Sequence, residues 1–158
     1  MKKILIIQTA FLGDVILATP VISELKRLYP SSKIDVLVRE GNESLLANNL
    51  KINSVFTFDK KNGKVKAIFS LIKTFREKQY DLVINLHRFG SSGILAGLSK
   101  GKKRYGFAKN PFSFLYTKKF SHEIGNGKHE VERNLSIIKE FGAVEKLKPE
   151  LFPSEDDF

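Results

Sequence analysis

No cysteine and no tryptophan occur among the 158 residues, and there is one methionine. The lack of thiols excludes disulfides, zinc ribbons and a thiol nucleophile. His87, His122 and His129 are scattered and lack metal-ligand spacing, so no metal site is expected. Long apolar runs are missing too. Lys2-Lys3 followed by Ile4-Leu5-Ile6-Ile7 imitates the start of a signal peptide, but Gln8, Thr9, Gly13 and Asp14 break it. No window approaches the ~18 apolar residues of a membrane-spanning helix, and the chain reads as cytoplasmic. No G-x-G-x-x-G follows the first apolar run and no G-x-x-x-x-G-K-[ST] occurs. Dinucleotide-dependent dehydrogenases and P-loop enzymes are thereby disfavoured, and no cofactor is expected. Acid is scarce relative to base: 17 Asp and Glu face 27 Lys and Arg, a net charge of +10. That excess suits an anionic partner such as nucleic acid, a phosphorylated small molecule or a membrane surface. Plain solubility is the other account of it. Aromatic stacking platforms and base-reading helices are not evident, which sets nucleic acid aside.

What is present is an ordinary globular composition, 42% hydrophobic and 28% charged, at a length that fits one domain. Ile4–Ile7 is apolar throughout, as in a strand covered on both faces. Val21, Ile22, Leu25 and Leu28 follow at helical spacing. Thr19-Pro20 offers an N-cap and a first-turn proline, so one helix bent at Pro20 and two short helices both remain open. Further strands are expected at 33–38, 55–58, 82–86, 104–107 and 120–123. Helices are expected at 43–48, 65–79, 94–98 and 129–141, with Ile68, Phe69, Leu71, Ile72 and Phe75 available for burial in the second. Gly125-Asn126-Gly127 reads as a turn. Strands alternating with helices mean βαβ units: a Rossmann-like parallel sheet with helices on both faces. The stretch 148–158, with two prolines and then acidic residues, looks like the start of a linker.

Three places invite chemistry. Gln8 to Pro20 leads from a strand into a helix and carries Asp14 in the turn, where ligands of open α/β sheets sit. Asp14 has two readings, a cap of the first helical turn or a catalytic or binding carboxylate. Basic residues cluster in two segments that follow strands: 60–78, including Lys60, Lys61 and Lys64, and 100–119, including Lys102, Lys103 and Arg104. Flexible cations of this kind suit a multiply phosphorylated ligand or anionic headgroups, and equally a solvated face. Gly90-Ser91-Ser92-Gly93 lies between a strand and a helix. It can offer backbone N–H groups and hydroxyls to an anion, or serve as a plain turn and cap. His87 and Arg88 share that strand end.

Taken together, the segments Ile4–Thr9, Leu12–Pro20, Tyr80–His87, Arg104–Phe107 and His129–Leu135 resemble the N-terminal half of the lipopolysaccharide heptosyltransferases, glycosyltransferase family 9. The resemblance implies a GT-B architecture of two Rossmann-like domains facing a cleft. Residues 1–147 are then the acceptor-binding domain and 148–158 the start of the interdomain linker, with the donor domain outside this chain. The implied activity is inverting, metal-independent transfer of heptose from ADP-heptose to the inner core of lipopolysaccharide, on a Kdo-bearing lipid A acceptor. Asp14 is implied as general base. Thr9, Gly13, Lys60, Lys61, Lys64, Arg88, Ser91, Ser92 and Arg104 are implied on the acceptor side. A phosphate-rich acceptor also implies peripheral contact with the inner face of the cytoplasmic membrane. This chain alone is expected not to turn over, since donor contacts lie elsewhere. His87-Arg88 stands where family members often carry a Gln-Gly type of turn. A non-catalytic module binding an anionic glycolipid or phosphosugar is the alternative.

Overall fold

Ile4, Leu5, Ile6 and Ile7 offer water no polar side, so the strand that holds them must be covered on both faces. In the computed structural model that strand, β1 (Lys3–Gln8), lies inside a six-stranded sheet, and all four side chains are buried. The structure describes residues 1–59, 61, 63–88, 90–122, 129–144 and 147–151. After β1 come α1 (Leu12–Leu28), β2 (Lys33–Arg39), β3 (Ser54–Phe58), α2 (Lys64–Lys78) and β4 (Leu82–Asn85). Then follow α3 (Ser92–Gly97), β5 (Lys103–Phe107), β6 (Lys118–Phe120) and α4 (Glu130–Ser136). Each neighbouring pair of strands is parallel, in the order β3-β2-β1-β4-β5-β6. This is the Rossmann-like sheet that the alternation of elements predicts.

Alternating side chains of the sheet feed two cores. Ile4, Ile6, Val36 and Ile84 pack with Val21, Ile22 and Leu25 of α1 and Leu135 of α4. Leu5, Ile7, Leu37 and Val83 pack with Ile72 and Phe75 of α2 and Leu95 of α3. Each face is sealed by a buried polar group with its partners in place. On one, Tyr80 donates its phenolic hydrogen to Asp35 at 2.7 Å, and Asn53 Nδ2 donates to the same carboxylate at 3.0 Å. Burial, with the Asp35 contact added, pushes the Tyr80 phenol far above its usual range. On the other, Glu24 accepts two bonds from Arg27, both 2.9 Å, and one from the Val144 amide at 3.0 Å.

α1 is one helix with Pro20 inside it. Proline lacks the N–H that would bond the carbonyl four residues back. The Thr19 hydroxyl donates to that carbonyl, of Ile16, at 2.7 Å. The threonine thus repairs the turn that the proline breaks, and it does not cap a second helix.

Several expected elements shift. Phe69 of α2 is 68% exposed; it lies beside the apolar stripe, not within it. The helix expected at 43–48 is a short 3-10 turn, Glu43–Leu45. The last helix is broken into α4 and a 3-10 turn, Lys139–Phe141, and Gly142 leaves it in the left-handed region at φ 98°. The strand expected at 120–123 is Lys118–Phe120, and the turn at 125–127 falls outside the described residues. Among the described residues no helix is long and apolar enough to cross a membrane.

Three carboxyl groups are held below their usual range: Glu24 chiefly by Arg27, Asp81 chiefly by the Lys2 and then the Lys3 amide, and Glu140 chiefly by Lys118. A carboxyl that resists protonation in the folded chain makes acid favour unfolding. Stability is therefore expected to hold above about pH 5 and to fall as pH drops through about 4 and below. Urea denaturation at a series of pH values checks this, and a midpoint unchanged between pH 6 and pH 3 contradicts it.

Candidate active site

Strand order reverses beside β1. The chain steps outward from β1 to β3 and then returns to lay β4 on the other side of β1. Loops leaving β1 and β4 at their carboxyl ends diverge there and leave a crevice. The crevice holds a cleft of about 360 Å³. Gln8, Ala10 and Phe11 after β1, Asp14 and Leu17 of α1, Leu86, His87 and Arg88 after β4, and Glu130 at the start of α4 line it.

Asp14 is the third residue of α1. Its Oδ2 accepts the Phe11 amide at 3.1 Å, so one oxygen satisfies a helix N-terminal donor. Its Oδ1 has no hydrogen bond to a described residue. Both sequence readings of Asp14 meet in one side chain: it caps the helix, and it lines the cleft. Gly13 beside it is exposed, and a Cβ built there meets nothing within 4 Å. Nothing in the chain's own packing requires glycine at that position.

The two loops are stitched together below the cleft. Thr9 is buried, and its hydroxyl lies 2.8 Å from His87 Nδ1. The His87 amide donates to Asn85 Oδ1 at 2.9 Å, and Asn110 Nδ2 donates to the His87 carbonyl at 3.1 Å. Asn85 Nδ2 in turn donates to Ser92 Oγ at 3.1 Å and to the Tyr116 phenol oxygen at 2.9 Å. Burial pushes the Tyr116 phenol up to about 12, against the opposing Asn85 contact.

Of the residues expected on the acceptor side, Arg88 lines the cleft with Asp14, and Gly13 adjoins Asp14 in the first turn of α1. Thr9 supports it from beneath. Ser91 and Ser92 are buried against the sheet face, so they do not present hydroxyls to a ligand. Arg104 lies near the amino end of β5, in register with Val83. Its guanidinium donates to the carbonyls of Gly101, at 2.8 Å, and Leu115, at 3.2 Å. That is the opposite edge of the sheet from the cleft, because a residue two positions into a strand cannot share the edge where the strand ends. Lys61 and Lys64 follow β3 on the correct edge, two strands and thus about 10 Å from β1. Lys60 falls outside the described residues.

Two cleft participants escaped the residue-by-residue reading. Glu130 lines the cleft, and His122, 2% exposed, lies behind it. Arg88 Nη1 is 3.4 Å from His122 Nδ1, His122 Nε2 is 3.2 Å from both Glu130 oxygens, and Arg133 Nη1 donates to Glu130 at 3.1 Å. The Glu130–Arg133 spacing of three was the available signal; His122 had none. Glu130 is thus held by Arg133 and His122, whereas Asp14 Oδ1 has no hydrogen bond to a described residue. Among the described residues no three His, Asp or Glu side chains converge as metal ligands.

This parallel-sheet fold occurs in solved glycosyltransferases. The glycosyl transferase family 9 protein of Veillonella parvula DSM 2008 matches with a TM-score of 0.79 at 24% identity, over 98% of this chain and 46% of its own. The E. coli ADP-heptose lipopolysaccharide heptosyltransferase II matches at 0.81 and 22%, over 99% of this chain and 48% of its own. In sequence, lipopolysaccharide heptosyltransferase 3 of Escherichia coli strain K12 is 37% identical over 139 residues, 82% of this chain and 40% of the relative. A second Escherichia coli heptosyltransferase 3 is 36% identical over 149 residues, 87% of this chain and 42% of the relative. Residues 68–156 match the model of glycosyltransferase family 9 (heptosyltransferase), and the chain belongs to that family. It spans less than half the length of these relatives.

Glycines separate packing from function here. Gly13→Ala is expected to leave stability unchanged or raise it by up to about 1 kcal/mol. At Gly106 a Cβ would stand 2.4 Å from Tyr116 Cε2, so Gly106→Ala is expected to cost about 1–3 kcal/mol. Parallel urea melts of the two variants check the contrast, and equal losses contradict it.

Proposed function

We propose that this chain is the acceptor-binding half of an inverting, metal-independent transferase that moves heptose from ADP-heptose to the inner core of lipopolysaccharide. In this reading residues 1–147 form the acceptor domain and 148–158 lead toward a donor-binding domain. Family membership and the relatives' names support the reaction class. The observation that carries the reading is the Asp14 carboxylate, held through one oxygen by the Phe11 amide and lining the cleft.

Asp14 acts as the general base. It takes the proton of the acceptor hydroxyl while that oxygen attacks the anomeric carbon from the face opposite the nucleotide. The new C–O bond forms as the bond to the diphosphate breaks, and the electron pair leaves with ADP. The amide at Phe11 and the first turn of α1 hold the carboxylate in place, so little reorganisation accompanies proton transfer. Gly13, lacking a side chain, lets the sugar approach the backbone closely. Arg88 in the cleft, with Lys61 and Lys64 on the same sheet edge, meets the phosphate and carboxylate groups of a Kdo-bearing lipid A.

The same edge suits a membrane approach from the cytoplasmic side. Val65 and Phe69 are 66% and 68% exposed, one helical turn apart on α2, and exposed Lys64 and Lys66 flank them. Apolar groups that enter the headgroup region beside lysines favour an anionic lipid surface.

In the full-length enzyme supplied with ADP-heptose and an inner-core acceptor, Asp14→Asn is expected to lower kcat at least ~100-fold. The asparagine oxygen can keep the Phe11 contact, so the melting temperature should stay near wild type. Undiminished turnover overturns the base assignment and favours a binding module without chemistry. Sedimentation with phosphatidylglycerol vesicles gives the second check. Phe69→Ser and the pair Lys64→Glu, Lys66→Glu should each reduce bound protein, with no binding to neutral vesicles; retention equal to wild type removes α2 from the membrane contact.

A further inference from the structure

Phe11 opens α1 without helping it. Serine, threonine, aspartate or asparagine at that position can accept a helix amide. A phenyl ring cannot, and Phe11 makes no side-chain cap. Nor does the ring belong to either hydrophobic core. It lines the cleft and is 73% exposed. An apolar ring left in water beside Asp14 breaks a local rule with no gain in packing, as side chains at binding sites do. Its backbone is fixed all the same. The Phe11 amide donates to Asp14 at 3.1 Å, and its carbonyl accepts the amides of Asp14, at 3.0 Å, and Val15, at 3.2 Å.

The neighbour of the ring is Arg39, whose guanidinium carbon lies 5.8 Å from its centroid, within cation–π range. Arg39 ends β2, one residue past Val38, which is in register with Gln8. The loop beyond is tied across to the loop after β1. Asn42 donates through its amide to the Arg39 carbonyl at 3.0 Å and through Nδ2 to the Ala10 carbonyl at 3.3 Å. The acids of that loop are engaged elsewhere, Glu43 with the Gly41 amide at 2.7 Å and Glu40 with Asp59. Arg39 forms no ion pair with a described residue.

We propose that Phe11 and Arg39 form one subsite for the acceptor: the ring stacks on a sugar, and the guanidinium binds an anionic group of the same molecule. The C–H groups on one face of a pyranose are slightly positive and suit the negative face of a phenyl ring. The guanidinium offers paired N–H donors to a phosphate or carboxylate. Because Phe11 and Asp14 share the first turn of α1, a sugar stacked there lies beside the base.

The subsite rests on reading the cleft as the acceptor side, and the test separates the two. In the full-length enzyme, initial rates are measured against a Kdo-bearing lipid A and against ADP-heptose, at low and at high salt, for Phe11→Ala, Phe11→Tyr and Arg39→Met. Phe11→Ala keeps the amide that holds Asp14 and removes an exposed ring, so its melting temperature should stay near wild type. It should raise the acceptor KM about tenfold with the donor KM unmoved, and Phe11→Tyr, which keeps the aromatic face, should restore it. Arg39→Met should raise the acceptor KM about tenfold at low salt, and high salt should shrink that difference from wild type while leaving the Phe11→Ala difference in place. Should half-buried Arg39 not tolerate methionine, the two Phe11 variants still decide the stacking. An acceptor KM unchanged in Phe11→Ala, or a loss that Phe11→Tyr does not recover, overturns the stacking role. An Arg39→Met effect that is absent or indifferent to salt overturns the role of the guanidinium. A rise in the donor KM in place of the acceptor KM overturns the reading of the cleft itself.

Discussion

The cleft depends on β1 being buried on both faces. A strand with four apolar side chains in a row has no tolerance for an edge position, since either face left open would put them in water. It must therefore have neighbours on both sides and helices above and below. The short connection through α1 supplies β2 on one side, and the long return through α2 supplies β4 on the other. With neighbours built in opposite directions, the loops leaving β1 and β4 have to part. The pocket is a consequence of that parting, and the residues that use it are the ones the two loops happen to carry at their tips.

The same geometry sorts the positive charge. Lys3, Lys33, Lys103 and Lys118 each open a strand, and Arg104 follows next to one of them, so they gather at the amino edge of the sheet. There Lys3 Nζ donates to the Lys78 carbonyl at 3.1 Å, and Lys118 pairs with Glu140 at 3.0 Å. Lys61, Lys64 and Arg88 lie on the other edge. The net charge of +10 thus draws on both ends of the sheet, and of these cations Arg88 lines the cleft.

This division explains how far the sequence could be read. Sheet type and the alternation of elements follow from hydrophobic pattern, because burial on two faces leaves a run such as Ile4–Ile7 plainly visible. Asp14 was visible too, since it falls in a strand-to-helix turn. Arg104 was misjudged because a basic run after a strand and a basic run opening the next strand look alike until register is known. Ser91 and Ser92 sit in a loop of suitable composition, but Asn85 claims Ser92 from below the sheet surface. Phe69 illustrates a similar limit, since one step around a helix separates the buried stripe from its rim. His122 and Glu130 meet only through tertiary structure, so their pairing has no local pattern.

Gly13 carries one more consequence. Open space lies over its Cα, and the chain has neither cysteine nor tryptophan. A lone thiol or indole introduced at that position would be unique within this chain. The emission of that indole, or of a dye on that thiol, would report on the turn that carries Asp14, with no tryptophan or second thiol elsewhere in the chain to compete with it. The position that the fold leaves vacant is therefore also its natural window for watching a ligand arrive.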